Sequence, residues 1–148
     1  MKRTSKIAVA ALAAAFATVG LAIAQENIPS ISLPADKLGF GPTGVKTAIG
    51  ELHAGPAYGD LSKGKHGTFI RMPAGFVSDL HTHTADYFGI VIKGVGVNQQ
   101  GDKNDVKLPV GSYWFQKGKE PHVTKCVSAT DCLFFIYQPD KFDYVPAK

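Results

Sequence analysis

Two histidines separated by one residue, His81 and His83, and a third downstream, His122, are the side chains of this 148-residue sequence best suited to hold a metal ion. Side chains two apart on a β-strand share a face, so His81 and His83 on a strand would project together into whatever that face encloses. His122 stands near the start of another strand-like run, residues 121–125, from which it would converge on the first two. Imidazole is the commonest protein nitrogen ligand for Zn, Fe, Ni and Cu. Three such rings leave one or two open positions on a divalent ion, which would polarise a substrate oxygen or lower the pKa of bound water. The competing reading is three hydrogen-bonded histidines lining an empty pocket.

The neighbours of the pair bear on what such a site would do. By alternation Tyr87 falls on the face of His81 and His83, where it would act as acid, base or hydrogen-bond donor, or simply pack as a strand aromatic. Asp86 alternates away, and only a local bulge would turn it inward. Gly89, next on the face of Tyr87, would leave open space. Phe69, Arg71, Trp114 and Phe115 are candidate wall residues, and an inward Arg71 would bind a carboxylate. His53 and His66 bracket a glycine-dense loop, residues 55–65, and neither is paired with a second donor; both are expected to face solvent or brace the loop.

The elements that must position these groups read as strands. Residues 45–54, 66–72, 87–98 with a bend at Gly94, 112–116, 121–126 and 132–138 are rich in β-branched and aromatic side chains and are separated by Gly, Pro or polar turns. No segment after residue 24 sustains helical periodicity over three turns. Short strands at close spacing predict an all-β sandwich or barrel, with a polar and aromatic tail at 139–148.

The chain length suits one domain. Residues 1–24 read as a signal peptide, with Lys2, Arg3 and Lys6 before an apolar stretch and the small residues Ala22 and Ala24 at its end. The apolar stretch is shorter than the roughly 20 residues of a spanning helix, so stable membrane insertion is not expected. Residues 25–44, with Pro29, Pro34 and Pro42, read as an irregular arm. Removing the leader deletes three bases and no acid, taking the formal charge from +4 to +1. Nothing basic and clustered remains, which argues against a nucleic-acid partner. Export to the periplasm or outside also argues against nucleotide cofactors, and no glycine motif for them is present. In an oxidising compartment Cys126 and Cys132, flanking a short loop between two strand-like runs, are expected to form a cross-strand disulfide; a free Cys126, four residues after His122, would instead be a soft fourth ligand.

The pattern Gly75, five residues, His81-Thr82-His83, with Gly94 closing the next strand, resembles the first motif of the cupin superfamily; Gly111 and His122 match the spacing of the second. The resemblance spans about residues 45–138 and is nearest to secreted cupins related to the cupin domain of the anti-sigma factor ChrR. It implies a double-stranded β-helix, or jelly roll, over residues 45–148, a metal in the barrel mouth, and pairing into a homodimer. Departures are informative. Tyr87 stands where cupins usually place a glutamate ligand, Lys117 and Lys119 stand where the second motif has proline and its second glycine, and Cys126 where it often has asparagine. Three imidazoles without a carboxylate suit Zn, Cu or Ni at least as well as Fe or Mn.

Three functional classes follow: a metal-dependent enzyme on a small molecule, of hydrolase, isomerase or oxygenase type; a binding or sensing module without turnover; and a metal-free jelly roll that mediates contacts. One fold hosts all three.

Overall fold

The computed structural model describes residues 29–101 and 103–148, so the leader expected at 1–24 lies outside the described residues. Residues 33–148 form a compact unit. Ten strands make it up: β1 (Gly41–Thr47), β2 (Gly50–Gly59), β3 (His66–Met72), β4 (His81–Thr82), β5 (Tyr87–Lys93), β6 (Gly96–Gln100), β7 (Tyr113–Gln116), β8 (His122–Cys126), β9 (Cys132–Gln138) and β10 (Val145–Pro146). One 3₁₀ turn, Ala35–Lys37, precedes them.

Two antiparallel sheets carry the strands, a six-stranded one in the order β1-β2-β3-β9-β5-β7 and a four-stranded one in the order β10-β4-β8-β6. They do not close into a continuous barrel; each keeps its own edges. The core contains Met72, Phe76, Val91, Trp114 and Phe134, all buried.

The first strands differ from the sequence expectation. β1 begins at Gly41, inside the stretch read as an irregular arm, and pairs with β2 through a tight connection at Ala48 and Ile49. β2 then runs on to Gly59 through the stretch read as loop, with Pro56 tolerated at a register shift. Glycine and proline mark a break in an isolated strand, but cross-strand pairing with β3 overrides that local preference.

Cys126 and Cys132 are joined by a disulfide, with sulfurs 2.06 Å apart. The two strands are not a hairpin, because β8 belongs to the small sheet and β9 to the large one. The bond therefore ties one sheet to the other. It also leaves no thiolate at Cys126, which removes the soft fourth ligand.

Candidate metal centre

His81 lies in the middle of the small sheet, directly opposite His122 of β8 on one side and Pro146 of β10 on the other. Directly opposed residues of an antiparallel pair bring their side chains together on one face. The His81 and His122 ring centres are accordingly 4.2 Å apart. His83, two residues on and just past the end of β4, shares that face, 5.0 Å from His81 and 5.1 Å from His122. All three are buried, and one ring nitrogen from each lies within 4.8 Å of the other two. Two ligand bonds of about 2.1 Å at a tetrahedral angle hold their nitrogens about 3.4 Å apart, so ring rotations that draw the three together by roughly an ångström bring them onto one ion.

The second nitrogens decide which one is offered. His81 Nδ1 meets the carbonyl of Asp79 at 2.8 Å, His122 Nδ1 that of Glu120 at 3.2 Å, and His83 Nδ1 that of Asp143. A carbonyl only accepts, so each Nδ1 carries the proton and each Nε2 keeps its lone pair for the shared centre. Burial, opposed by these carbonyls, pushes the imidazoles below their ordinary pKa: His81 to about 4, His122 to about 3, and His83 in the same direction. At neutral pH all three are uncharged, the form that binds metal. The residues present therefore fit a divalent ion, and no carboxylate joins them among the described residues.

Tyr87 faces this centre. Its hydroxyl lies 3.3 Å from His122 Nε2 and 3.3 Å from Asn98 Oδ1, to which it donates. Asn98 is oriented by Thr124, whose hydroxyl donates to Asn98 Oδ1 at 3.0 Å, and by its own amide, which donates to buried Gln116 at 2.8 Å. Burial raises the Tyr87 pKa to about 12. The phenol is therefore a donor at neutral pH and a poor base.

Asp86 is exposed on the opposite face, where its carboxylate accepts the Gly118 N–H at 2.7 Å. No bulge turns it inward. Gly89 lies on the inner face of β5, and the space beside it is filled: a Cβ there would stand 2.2 Å from the Trp114 ring. Trp114 lines the cavity beside the histidines, whereas Phe115, Phe69 and Arg71 point away from it. Phe69 packs on Phe135 and Arg71 on the Phe40 ring, both on the outer face of the large sheet. The inward residues of β3 are His66, Thr68, Ile70 and Met72. His66 is thus buried, not solvent-facing, with Thr68 Oγ1 at 2.9 Å and Gln138 Oε1 at 3.2 Å from its nitrogens. His53 is half-buried, with Nδ1 3.2 Å from the Glu51 carbonyl.

The C-terminal segment supplies what the sequence reading missed. Tyr144 stacks on His81 with ring centres 4.1 Å apart, and Phe142 lies 5.3 Å from His83. Between them, Asp143 accepts the His83 Nδ1–H on its carbonyl while its carboxylate accepts from the Thr84 N–H at 2.9 Å and from the Thr84 hydroxyl. The signal available was the spacing Phe142, Tyr144, Pro146, a short period-2 pattern ending in β10.

The cavity beside the histidines has a volume of about 60 Å³. A family model described as a domain of unknown function, DUF4437, matches residues 46–148. The chain belongs to the DUF4437 family. No curated protein matches. Among solved structures this DUF4437 chain is similar to a predicted oxalate decarboxylase from Thermotoga maritima (18% identity, TM-score 0.61, 74% of this chain and 99% of that one). It is also similar to the polyketide cyclase RemF from Streptomyces resistomycificus (13%, 0.67, 81% and 87%) and to a cupin 2 conserved barrel domain protein from Rhodopseudomonas palustris (14%, 0.63, 79% and 85%). At such identities the likeness shows the fold: this DUF4437 domain has the cupin jelly roll.

Proposed function

We propose that this protein is an exported cupin that holds a divalent metal ion on His81, His83 and His122 and uses it to bind and polarise a small molecule. One observation carries the proposal: three buried imidazoles meet with every Nδ1 committed to a backbone carbonyl and every Nε2 turned to the shared centre, where the Tyr87 hydroxyl stands 3.3 Å from that of His122. A hydrogen-bonded trio in an empty pocket has no need of that shared tautomer. The ion would supply Lewis acidity at a ligand oxygen. Tyr87 would donate a hydrogen bond, or a proton, to a ligand atom beside His122, held in place by Asn98. Binding without turnover is the second reading, favoured by a histidine cluster that no carboxylate joins among the described residues and by the high pKa of Tyr87. Two of the structural relatives are named for small-molecule chemistry, a polyketide cyclase and a predicted oxalate decarboxylase, which supports a small-molecule ligand here.

Elemental analysis of protein purified from the periplasm tests the proposal. One equivalent of a transition metal is expected, and little in His81→Ala or His122→Ala. A folded wild-type protein with no metal affinity after incubation with Zn²⁺, Ni²⁺, Cu²⁺, Mn²⁺ and Fe²⁺ refutes it. Turnover of a panel of small oxygenated compounds, absent from both variants, separates enzyme from binder.

Export rests on the leader at 1–24, and the proposed homodimer on the outer face of the large sheet. There Phe88, Ile90 and Ile92 of β5 adjoin Tyr113 and Phe115 of β7, all substantially exposed. A contiguous apolar patch of this kind is rare on a monomer. Sedimentation equilibrium should give twice the chain mass, and Ile90→Glu should shift the protein to monomer.

A further inference from the structure

The three imidazoles are closed off from solvent. His81 and His83 are only 3% and 5% exposed and His122 is fully buried, so neither an ion nor its ligand reaches them unless part of the wall moves. Most of that wall is built into ladders. β3, β9, β5 and β7 pair in succession across the large sheet, and β8 pairs with β6 over five residues. Opening any of these exposes the core around Met72, Phe134 and Trp114.

The exception is the segment 139–148. Leaving β9, it crosses from the large sheet to the small one and ends there as β10, two residues at the sheet edge. Besides that short pairing, the Phe142 N–H donates to the Leu61 carbonyl at 2.7 Å and the Ala147 N–H to the Leu80 carbonyl at 3.0 Å, while Asp143 engages Thr84 and His83. Lys141, Val145 and Pro146 are exposed, so little apolar area holds the segment down. Such elements open locally at small cost.

Tyr144 is the part of this segment that covers the site, its ring stacked on His81. It also lines a second pocket of about 370 Å³, bounded by residues 43–47 of β1, Phe76, Ser78 and Asp79. Ser78 and Tyr144 are common to both pockets and form the partition between them. Ser78 is fixed, because its N–H donates to the Thr124 carbonyl at 3.0 Å and its hydroxyl oxygen accepts from the Thr124 N–H at 3.0 Å. The Tyr144 hydroxyl meets the Asp79 carbonyl at a long 3.4 Å. The partition therefore yields at Tyr144.

Asp143 ties this movement to the ion. Its carbonyl accepts the His83 Nδ1–H, the bond that turns His83 Nε2 to the shared centre. Raising the segment breaks that bond, so a bound ion and a closed segment favour each other, each by the same factor.

We propose that residues 139–148 are a strap that opens to admit the ion and its ligand from the outer pocket, with Tyr144 as the gate, and that a bound ion latches the strap through His83 and Asp143. The latch rests on the metal reading above; the opening does not.

Thr82 and Val145 stand directly opposite each other in the β4–β10 pair, on the face turned away from the histidines, at a spacing a disulfide spans. Thr82→Cys/Val145→Cys locks the strap when oxidised. Its reduced and alkylated form, with the buried Cys126–Cys132 bond verified intact by mass, is the unlocked control. In metal-free protein, locking should slow modification of His81 and His83 by diethylpyrocarbonate at least tenfold, read by peptide mass spectrometry against His53. Uptake of Zn²⁺, and its removal by excess chelator, should slow by a similar factor. Tyr144→Ala, which keeps the backbone bonds of the strap, should speed His81 modification at least fivefold. In the wild type, Zn²⁺ should slow hydrogen exchange of the 139–148 amides at least fivefold. Equal modification rates in locked and unlocked forms overturn the strap, and an unaccelerated Tyr144→Ala overturns the gate. Strap exchange unchanged by bound Zn²⁺ overturns the latch alone. A protein that takes up no Zn²⁺ overturns the metal reading and the latch together, and the modification rates still decide the opening.

Discussion

Lowering the pH should destabilise the metal-free protein before its carboxylates titrate, and the three histidines should be the cause. In the folded chain burial lowers the His81 pKa to about 4, against about 6.5 in the unfolded chain. Because the folded value is the lower one, the unfolded state takes up the proton first. The stability contributed is whole above pH 6.5 and drains away as pH falls towards 4. At about 1.4 kcal/mol per tenfold change, the loss from His81 alone between pH 7 and pH 4 is about 3 kcal/mol. His122, at about 3, adds to it in the same direction and continues the loss to lower pH. For a domain of this size 3 kcal/mol corresponds to a fall in Tm of roughly 10 °C. The assay is thermal unfolding of chelator-treated protein at constant ionic strength from pH 7.5 to 4, beside His81→Asn, which removes one of the titrating rings. The variant should show a visibly shallower acid limb. A wild-type Tm that stays flat down to pH 4.5, or a variant curve parallel to it, refutes the claim that these rings are held neutral by burial.

The remaining predictions concern the ligand shell and the backbone. Since the imidazoles are already neutral at pH 7, binding Zn²⁺ should release almost no protons, so its calorimetric enthalpy should be the same in buffers of different ionisation enthalpy. Thr84→Val, which removes the hydroxyl bond to the Asp143 carboxylate but keeps the backbone one, loosens the carbonyl that orients His83 and should weaken Zn²⁺ binding by up to about tenfold in a competition titration while leaving the fold intact. Lys119 has φ of 64°, the left-handed region, in the turn whose backbone N–H donates to the His83 carbonyl at 2.7 Å. Lys119→Gly relieves that conformation and should stabilise the protein by about 1 kcal/mol in urea unfolding. Reducing the Cys126–Cys132 bond reopens only a short loop and should cost about 2 kcal/mol, measured as a fall in Tm after treatment with a thiol.

Much of the site was legible in the residues themselves. The His81, Thr82, His83 spacing places two rings on one face by strand geometry; Tyr87, expected there by alternation, instead meets the centre from β5 of the other sheet. Gly75, Gly94 and Gly111 all adopt positive φ, at 75°, 81° and 88°, so the glycine spacing reflected a backbone need. Parity was harder to read on β3. Its two faces are both partly apolar, Phe69 going outward onto Phe135 and Ile70 inward, so the hydrophobic pattern did not say which face was the core. A one-residue error there reverses every assignment, which is why Phe69 and Arg71 were expected in the wall and His66 outside it.

The amino-acid order by itself determined which side chains could bind an ion, since ring type and a two-residue step suffice to aim His81 and His83 together. It determined equally that a strand fold would carry them. Only the tertiary structure decided that His122 sits directly across from His81, because register between β4 and β8 depends on every other pairing in the small sheet. The return of the C-terminal segment was likewise decided there. β10 is two residues long and has no stability of its own, so Phe142, Asp143 and Tyr144 reach the histidines only once β4 is in place to receive it.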